Sequence, residues 1–174
     1  MITISKITQI FCSIDDFCSQ FLPVWNHFLL GNGKTRNKPG RLSPSEVMTL
    51  QVLFHFSGVR TFKKFYKDYV CNYWQELFPG LVSYTRMVEL TSETMIPLGI
   101  YLKTQATGPC TGISFVDSTP LRVCNNRRIH SHKVFEGLAQ RGKCSLGWFF
   151  GFKLHLITSE TGEVVDFMLT PANV

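Results

Sequence analysis

The sequence predicts an α+β protein, with an all-helical N-terminal part followed by a strand-rich C-terminal part. Three observations carry this. Apolar residues recur at spacings of three and four from Ile7 to Met95, as helices with one buried face require. The pattern breaks at Thr107-Gly108-Pro109. Beyond it, apolar and polar residues alternate, most clearly from Phe150 to Leu156, as in a half-buried strand. A chain of 174 residues makes one large domain or two small ones, and the break divides it into residues 1–108 and 109–174. With 44% hydrophobic and 13% aromatic residues, both parts can build packed cores, which excludes disorder for most of the chain.

The helical part is read element by element. Ile7, Ile10, Phe11, Ile14, Phe17, Cys18 and Phe21 form one apolar face, and Pro23 is expected to bend or interrupt that helix. Gly31 to Arg41 is polar and basic and reads as an exposed loop. Ser43-Pro44-Ser45-Glu46 has the form of a capping box with Pro at the first helical position, opening a second helix through Phe56. After Gly58, a third helix places Phe62, Phe65, Tyr66, Tyr69 and Val70 on one stripe, read as core, with Lys63, Lys64 and Lys67 projecting elsewhere. A fourth starts near Ser83 and runs through Met87, Leu90 and Met95, with Pro97 expected to kink it. The link from Cys71 to Val82 is longer than a helix-turn-helix connection, so the region reads more generally as a helical DNA-binding domain.

In the second part, Gly112 to Asp117 reads as a short strand ending on a carboxylate, with Pro120 to Val123 continuing extended. Trp148, Phe149 and Phe150 read as sheet core at the start of a strand. Phe150, Phe152, Leu154 and Leu156 share one strand face, and Lys153 and His155 the other, where they either reach toward Asp117 and DNA backbone or form a solvated or helix-covered sheet face. Ser159 to Glu163 turns into a hairpin partner from Val164 to Leu169.

Charge is local. The formal net charge is +6, and the whole excess lies between Leu121 and Lys153, where seven cations face one anion, Glu136. Such a field selects a phosphate-rich partner, although a solvated basic loop would look the same. Arg122, Arg127, Arg128, His130, Lys133, Arg141, Lys143 and Lys153 are the candidate DNA contacts. His130 and His132 lack a neighbouring carboxylate or cysteine at metal-ligand spacing, so phosphate contact or loop exposure is the better reading. The six cysteines are irregularly spaced, with no Cys-x-x-Cys pair, and read as reduced thiols. No apolar run reaches the roughly 18 residues of a spanning helix, and the N-terminus lacks a signal-peptide core, so a cytoplasmic protein is expected.

Asp117 admits two readings: a turn-former that accepts backbone hydrogen bonds, or an oxygen ligand for a hard divalent ion. Residues 115–124, then Arg128-Ile129-His130, then Lys143 to Leu156 with its Gly-Trp-Phe-Phe-Gly-Phe-Lys-Leu-His core, resemble bacterial insertion-sequence DDE transposases of the insertion-sequence 982 group. The likeness is specific in this block and looser over the rest of the chain.

The resemblance implies a helical DNA-binding domain followed by the first three strands of an incomplete ribonuclease-H-like domain. It also implies three acids holding two Mg²⁺ (or Mn²⁺) ions, with Asp117 matching the first. Two dications about 3.5–4 Å apart need several anionic ligands to offset their repulsion, and one aspartate does not suffice. The second and third acids of the family lie on a later strand and helix and have no match here. Glu160, Glu163 and Asp166 fall in or beside the hairpin and do not fit the motif. The expectation is therefore a truncated chain, inactive alone, whose partners are double-stranded DNA at element ends and a second copy or full-length transposase. Its first strand should be an open edge and its C-terminal part marginally stable. The rival readings are a non-catalytic DNA-binding protein that inhibits full-length transposase, and a decayed reading frame.

Overall fold

The computed structural model describes residues 2–29 and 40–174, and residues 31–39 of the basic loop expected at 31–41 lie outside the described residues. The chain divides into two compact units, Met1–Tyr101 and Leu102–Val174. The division falls inside the last helix (Tyr84–Gln105).

The first unit is helical. Helix α1 (Ile4–Leu29) runs through Pro23 without interruption. The expected break does not occur: the Phe17–Phe21 and Phe21–Trp25 ring pairs, at 5.0 and 5.7 Å, continue the i,i+4 contacts past it. Helix α2 (Pro44–Phe56) opens on the predicted capping box, in which the Ser43 hydroxyl accepts from Glu46 N–H and Glu46 accepts from Ser43 N–H at 2.7 Å. Asp15 of α1 accepts from the Ser45 hydroxyl at 2.6 Å, fastening the two helices where α2 begins.

The third helix is not uniform. Its segments are α3 (Phe62–Lys64), a π-helical stretch (Phe65–Val70) and α4 (Cys71–Tyr73). The wider winding buries Phe65, Tyr66 and Val70 but leaves Tyr69, expected on the same stripe, 44% exposed. Helix α5 (Tyr84–Gln105) continues through Pro97, which is itself buried, so the packing of its ring offsets the lost backbone donor. The 74–83 connection is pinned by Tyr66, whose hydroxyl donates to the Val82 carbonyl at 2.7 Å and accepts from Val82 N–H.

Two apolar clusters hold this unit. One contains Ile7, Val47, Leu50, Leu53, Phe65, Tyr66, Val70 and Met87. The other contains Ile14, Cys18, Met48 and Tyr101. Burial, reinforced by the Asp15 charge, pushes the Cys18 thiol up to about 11. No cysteine is in a disulfide.

The second unit is a four-stranded antiparallel sheet: β1 (Ser114–Cys124), β2 (Gln140–Cys144), β3 (Gly147–Ser159) and β4 (Val164–Pro171). A 3₁₀ turn (Asn126–Ser131) follows β1. All three other strands pair with β3: β1 along one side, and β2 and then β4 along the other. This makes four strands where the sequence suggested three. Gln140 to Cys144 has no apolar alternation, and it becomes a strand because the tight turn at Gly147, with φ near 107°, folds it back onto β3. Gly142 lies so close to the Ala172 carbonyl that a Cβ there has no room. As expected, β1 is an edge, with Phe115 and Val116 61% and 71% exposed. The buried apolar residues of this unit are few: Ala139, Phe149, Phe150 and Ala172. Among the described residues no helix is long and apolar enough to cross a membrane.

Three outcomes test this packing. Ser43→Ala should cost about 1 kcal/mol of stability in urea unfolding. Gly142→Val should cost about 1–3 kcal/mol through overpacking of the sheet. At mildly alkaline pH, alkylation with detection by mass spectrometry should modify exposed Cys12 and Cys110 well before Cys18.

Candidate nucleic-acid and metal site

Asp117 is placed by β1, but not at the strand's end. The strand runs on through Pro120 to Cys124, because its pairing with β3 continues to Arg122↔Gly151 and, after a bulge, Cys124↔Phe150. Asp117 is thus a mid-strand residue on an edge strand. It is exposed, and its hydrogen bond is from the Thr119 hydroxyl at 3.4 Å.

The register fixes which residues share its face. Asp117 stands opposite Leu156, which stands opposite Phe167. Directly paired residues project to the same side of a sheet, so Asp117 shares the apolar face of Phe152, Leu154 and Leu156. Lys153 and His155 therefore project from the opposite face, which removes the reading in which they reach toward Asp117 and leaves the other. Both are tied to the C-terminal end of the chain: Lys153 Nζ donates to the Val174 carbonyl at 2.7 Å, and His155 Nε2 lies 2.9 Å from the Thr170 hydroxyl.

The other acids do not join Asp117. Asp166 pairs with Ile157 and so lies on the opposite face. Its carboxyl is held below the usual range by the Phe167 N–H at 2.8 Å and by Lys103, whose Nζ is 3.2 Å away. Among the described residues no group of three His, Cys, Asp or Glu side chains is placed to hold a metal ion. A lone carboxylate with one hydroxyl neighbour does not fit a two-ion centre.

The basic residues gather at the other end of β3. Arg122 stands opposite Gly151, Arg141 opposite Phe150 and Lys143 opposite Trp148. Arg127, Arg128 and His130 lie on the 3₁₀ turn. That turn is fastened to the start of β3 by Asn126, whose amide donates to the Trp148 carbonyl at 2.8 Å. Lys133 lies in the loop before β2, and all seven are exposed. Arg141 and Lys143 share the face of Asp117, six and eight residues along β3 from Leu156, which at strand rise is roughly 20–27 Å.

Sequence reasoning missed three features. Trp148, read as core, is 55% exposed, with the Arg141 guanidinium 5.4 Å from its ring centre. Its neighbours Phe149 and Phe150 take the buried positions. The His132 ring stacks on Phe135, and its Nε2 is buried with no partner among the described residues, a state costing about 1–3 kcal/mol. In the helical unit, Arg60, Lys63, Lys64 and Lys67 are exposed and unpaired with any acid among the described residues, a second basic face visible in the sequence only as lysines off the aromatic stripe.

Residues 107–174 match the family described as a transposase DDE domain. This segment, which contains all four strands and Asp117, is thus similar to the DDE domain of transposases. No curated protein and no solved structure matches the chain.

The Asp166 environment sets an acid limb. Its carboxyl is depressed in the folded state, so its contribution is complete above the ordinary aspartate value, about 3.9, and is lost as pH falls through the lower folded value. Asp166→Asn should flatten the acid end of a stability-against-pH curve measured by circular dichroism. Asp117→Asn, at an exposed site, should leave stability within about 0.5 kcal/mol.

Proposed function

We propose that this chain provides the DNA-binding region and the first catalytic strand of an insertion-sequence 982-type DDE transposase, acting on double-stranded element ends in the cytoplasm. The carrying observation is Asp117 on the first strand of a segment similar to a transposase DDE domain. On this reading the sheet is the start of a ribonuclease-H-like domain. Asp117 is the first of three acids for two Mg²⁺ or Mn²⁺ ions, whose chemistry when bound is to stabilise attacking and leaving phosphodiester oxygens.

The charge geometry supports a duplex laid along β3. Arg141 and Lys143 stand roughly 20–27 Å along β3 from the Asp117 position, within one turn of B-DNA at about 34 Å. Arg122, Arg127, Arg128, His130, Lys133, Arg141 and Lys143 would hold backbone phosphates while Asp117 lies near the strand to be cut. Arg122, opposite Gly151, and Lys153, opposite Pro120, project from the other face, and Lys153, bonded to Val174, is the weakest member of the set.

Cleavage needs two more acids, which the resemblance places on a later strand and helix. The chain by itself is therefore read as binding DNA without cutting it and as binding Mg²⁺ weakly. The second reading is a DNA-binding protein that occupies element ends and competes with full-length transposase for them.

Gel-shift and nicking assays on a labelled end fragment test both. With about six phosphate contacts, the plot of log affinity against log salt should slope near −5, and Arg141→Ala with Lys143→Ala should reduce that steepness by about 2. No nicking is expected with Mg²⁺ or Mn²⁺. Robust cleavage would sink the non-catalytic reading, and salt-independent binding would remove the basic cluster from the contact.

A further inference from the structure

Two hollows open at the basic end of the sheet and share Cys124 and Asn125 in their walls. The larger, about 450 Å³, is lined by Arg128, Ser131, His132 and Val123 in addition. The smaller, about 290 Å³, lies against Arg122, Asn126, Trp148 and Phe149. No carboxylate lines either one, and neither arginine is ion-paired among the described residues.

The wall chemistry differs between the two. The larger hollow is lined by a guanidinium, the Asn125 amide and the His132 ring. Asn125 Oδ1 already accepts from Arg127 N–H at 3.2 Å, which fixes the amide and leaves its NH₂ to donate. His132 is clamped between Phe135 and Phe150 with Nε2 unpartnered. A ligand with several acceptor oxygens and negative charge satisfies the Arg128 guanidinium and the Asn125 amide together. The smaller hollow adds an aromatic face: Trp148 is more than half exposed, with Arg141 held against it. A positively charged groove beside an exposed aromatic ring is how proteins hold unpaired nucleotides, since a base inside a duplex has no free face to stack.

We propose that the paired hollows form a binding site for one unpaired nucleotide of a DNA strand, with its phosphate at Arg128 and Asn125 and its base against Trp148. The site rests on the DNA-binding reading above and deepens it by moving Arg128 from duplex backbone to an unpaired nucleotide: the other exposed cations grip duplex backbone, while the hollows read whether a strand end is open.

The test compares the full chain's affinity for a short labelled duplex that is blunt with its affinity for the same duplex carrying an unpaired tail, by fluorescence anisotropy. The tailed duplex should bind about tenfold more tightly, the gain from stacking one base. Trp148→Ala and Arg128→Gln, each checked for a wild-type circular dichroism spectrum and melting midpoint, should bring the ratio of the two affinities to about one. A mononucleotide should quench tryptophan fluorescence, and the quench should vanish in Trp148→Phe. Equal affinity of the wild-type chain for tailed and blunt DNA, or a preference that survives both substitutions, overturns the site while leaving the DNA-binding reading intact. Inorganic phosphate competing as well as the mononucleotide also overturns it, leaving a bare anion pocket. Failure to bind either DNA sinks both readings.

Discussion

Everything in the C-terminal unit hangs on one strand. β3 is thirteen residues long and supplies the backbone partners of β1 on one side and of β2 and β4 on the other. Where the strands sit, which side chains share a face, and how far the basic cluster lies from Asp117 are all set by the register along Gly147–Ser159. Because the side-chain period of a strand is two, a shift of one residue in β1 against β3 would carry Asp117 to the other side of the sheet. The bulge between Arg122 and Cys124 absorbs such a shift beyond the last paired residue of the Asp117 segment, so the acid's face is preserved while the chain turns into the 3₁₀ segment.

Much of the helical unit is legible in the sequence because its signals are local. The capping box at Ser43–Glu46 needs only four residues to declare itself, and the structure has it in full. Proline is harder to read for the opposite reason: whether Pro23 interrupts its helix depends on contacts with side chains a turn or more away, such as the Phe17–Phe21–Trp25 ladder. The π-helical winding at Phe65–Val70 is likewise set by the need to bury two adjacent aromatic rings, and periodicity alone predicts an ordinary α-helix there.

In the sheet unit, the acid and the cations are visible in the sequence but their arrangement is not. Alternation along β3 correctly separates Leu154 and Leu156 from Lys153 and His155, yet the face on which Asp117 falls is a property of pairing between strands far apart in the chain. The same holds for Arg141 and Lys143, whose strand has no apolar alternation and is recruited by a turn. The exposed Trp148 is hidden by composition: in a run of three aromatics nothing local says which one faces water. A segment similar to the transposase DDE domain thus carries a basic end and an acidic position at opposite ends of one strand, an arrangement suited to a linear polyanion.

The widened turn at Phe65–Val70 also constrains the residues beyond it. Each residue of an α-helix advances the chain by about 100° around its axis, so removing a single residue from this stretch, although it would restore regular winding, would swing Cys71 to Trp74 around by that angle. Trp74 would leave the edge of Phe65, from which it now stands 5.7 Å away. Regularity in that helix and closure of the aromatic cluster are mutually exclusive, and the chain has kept closure.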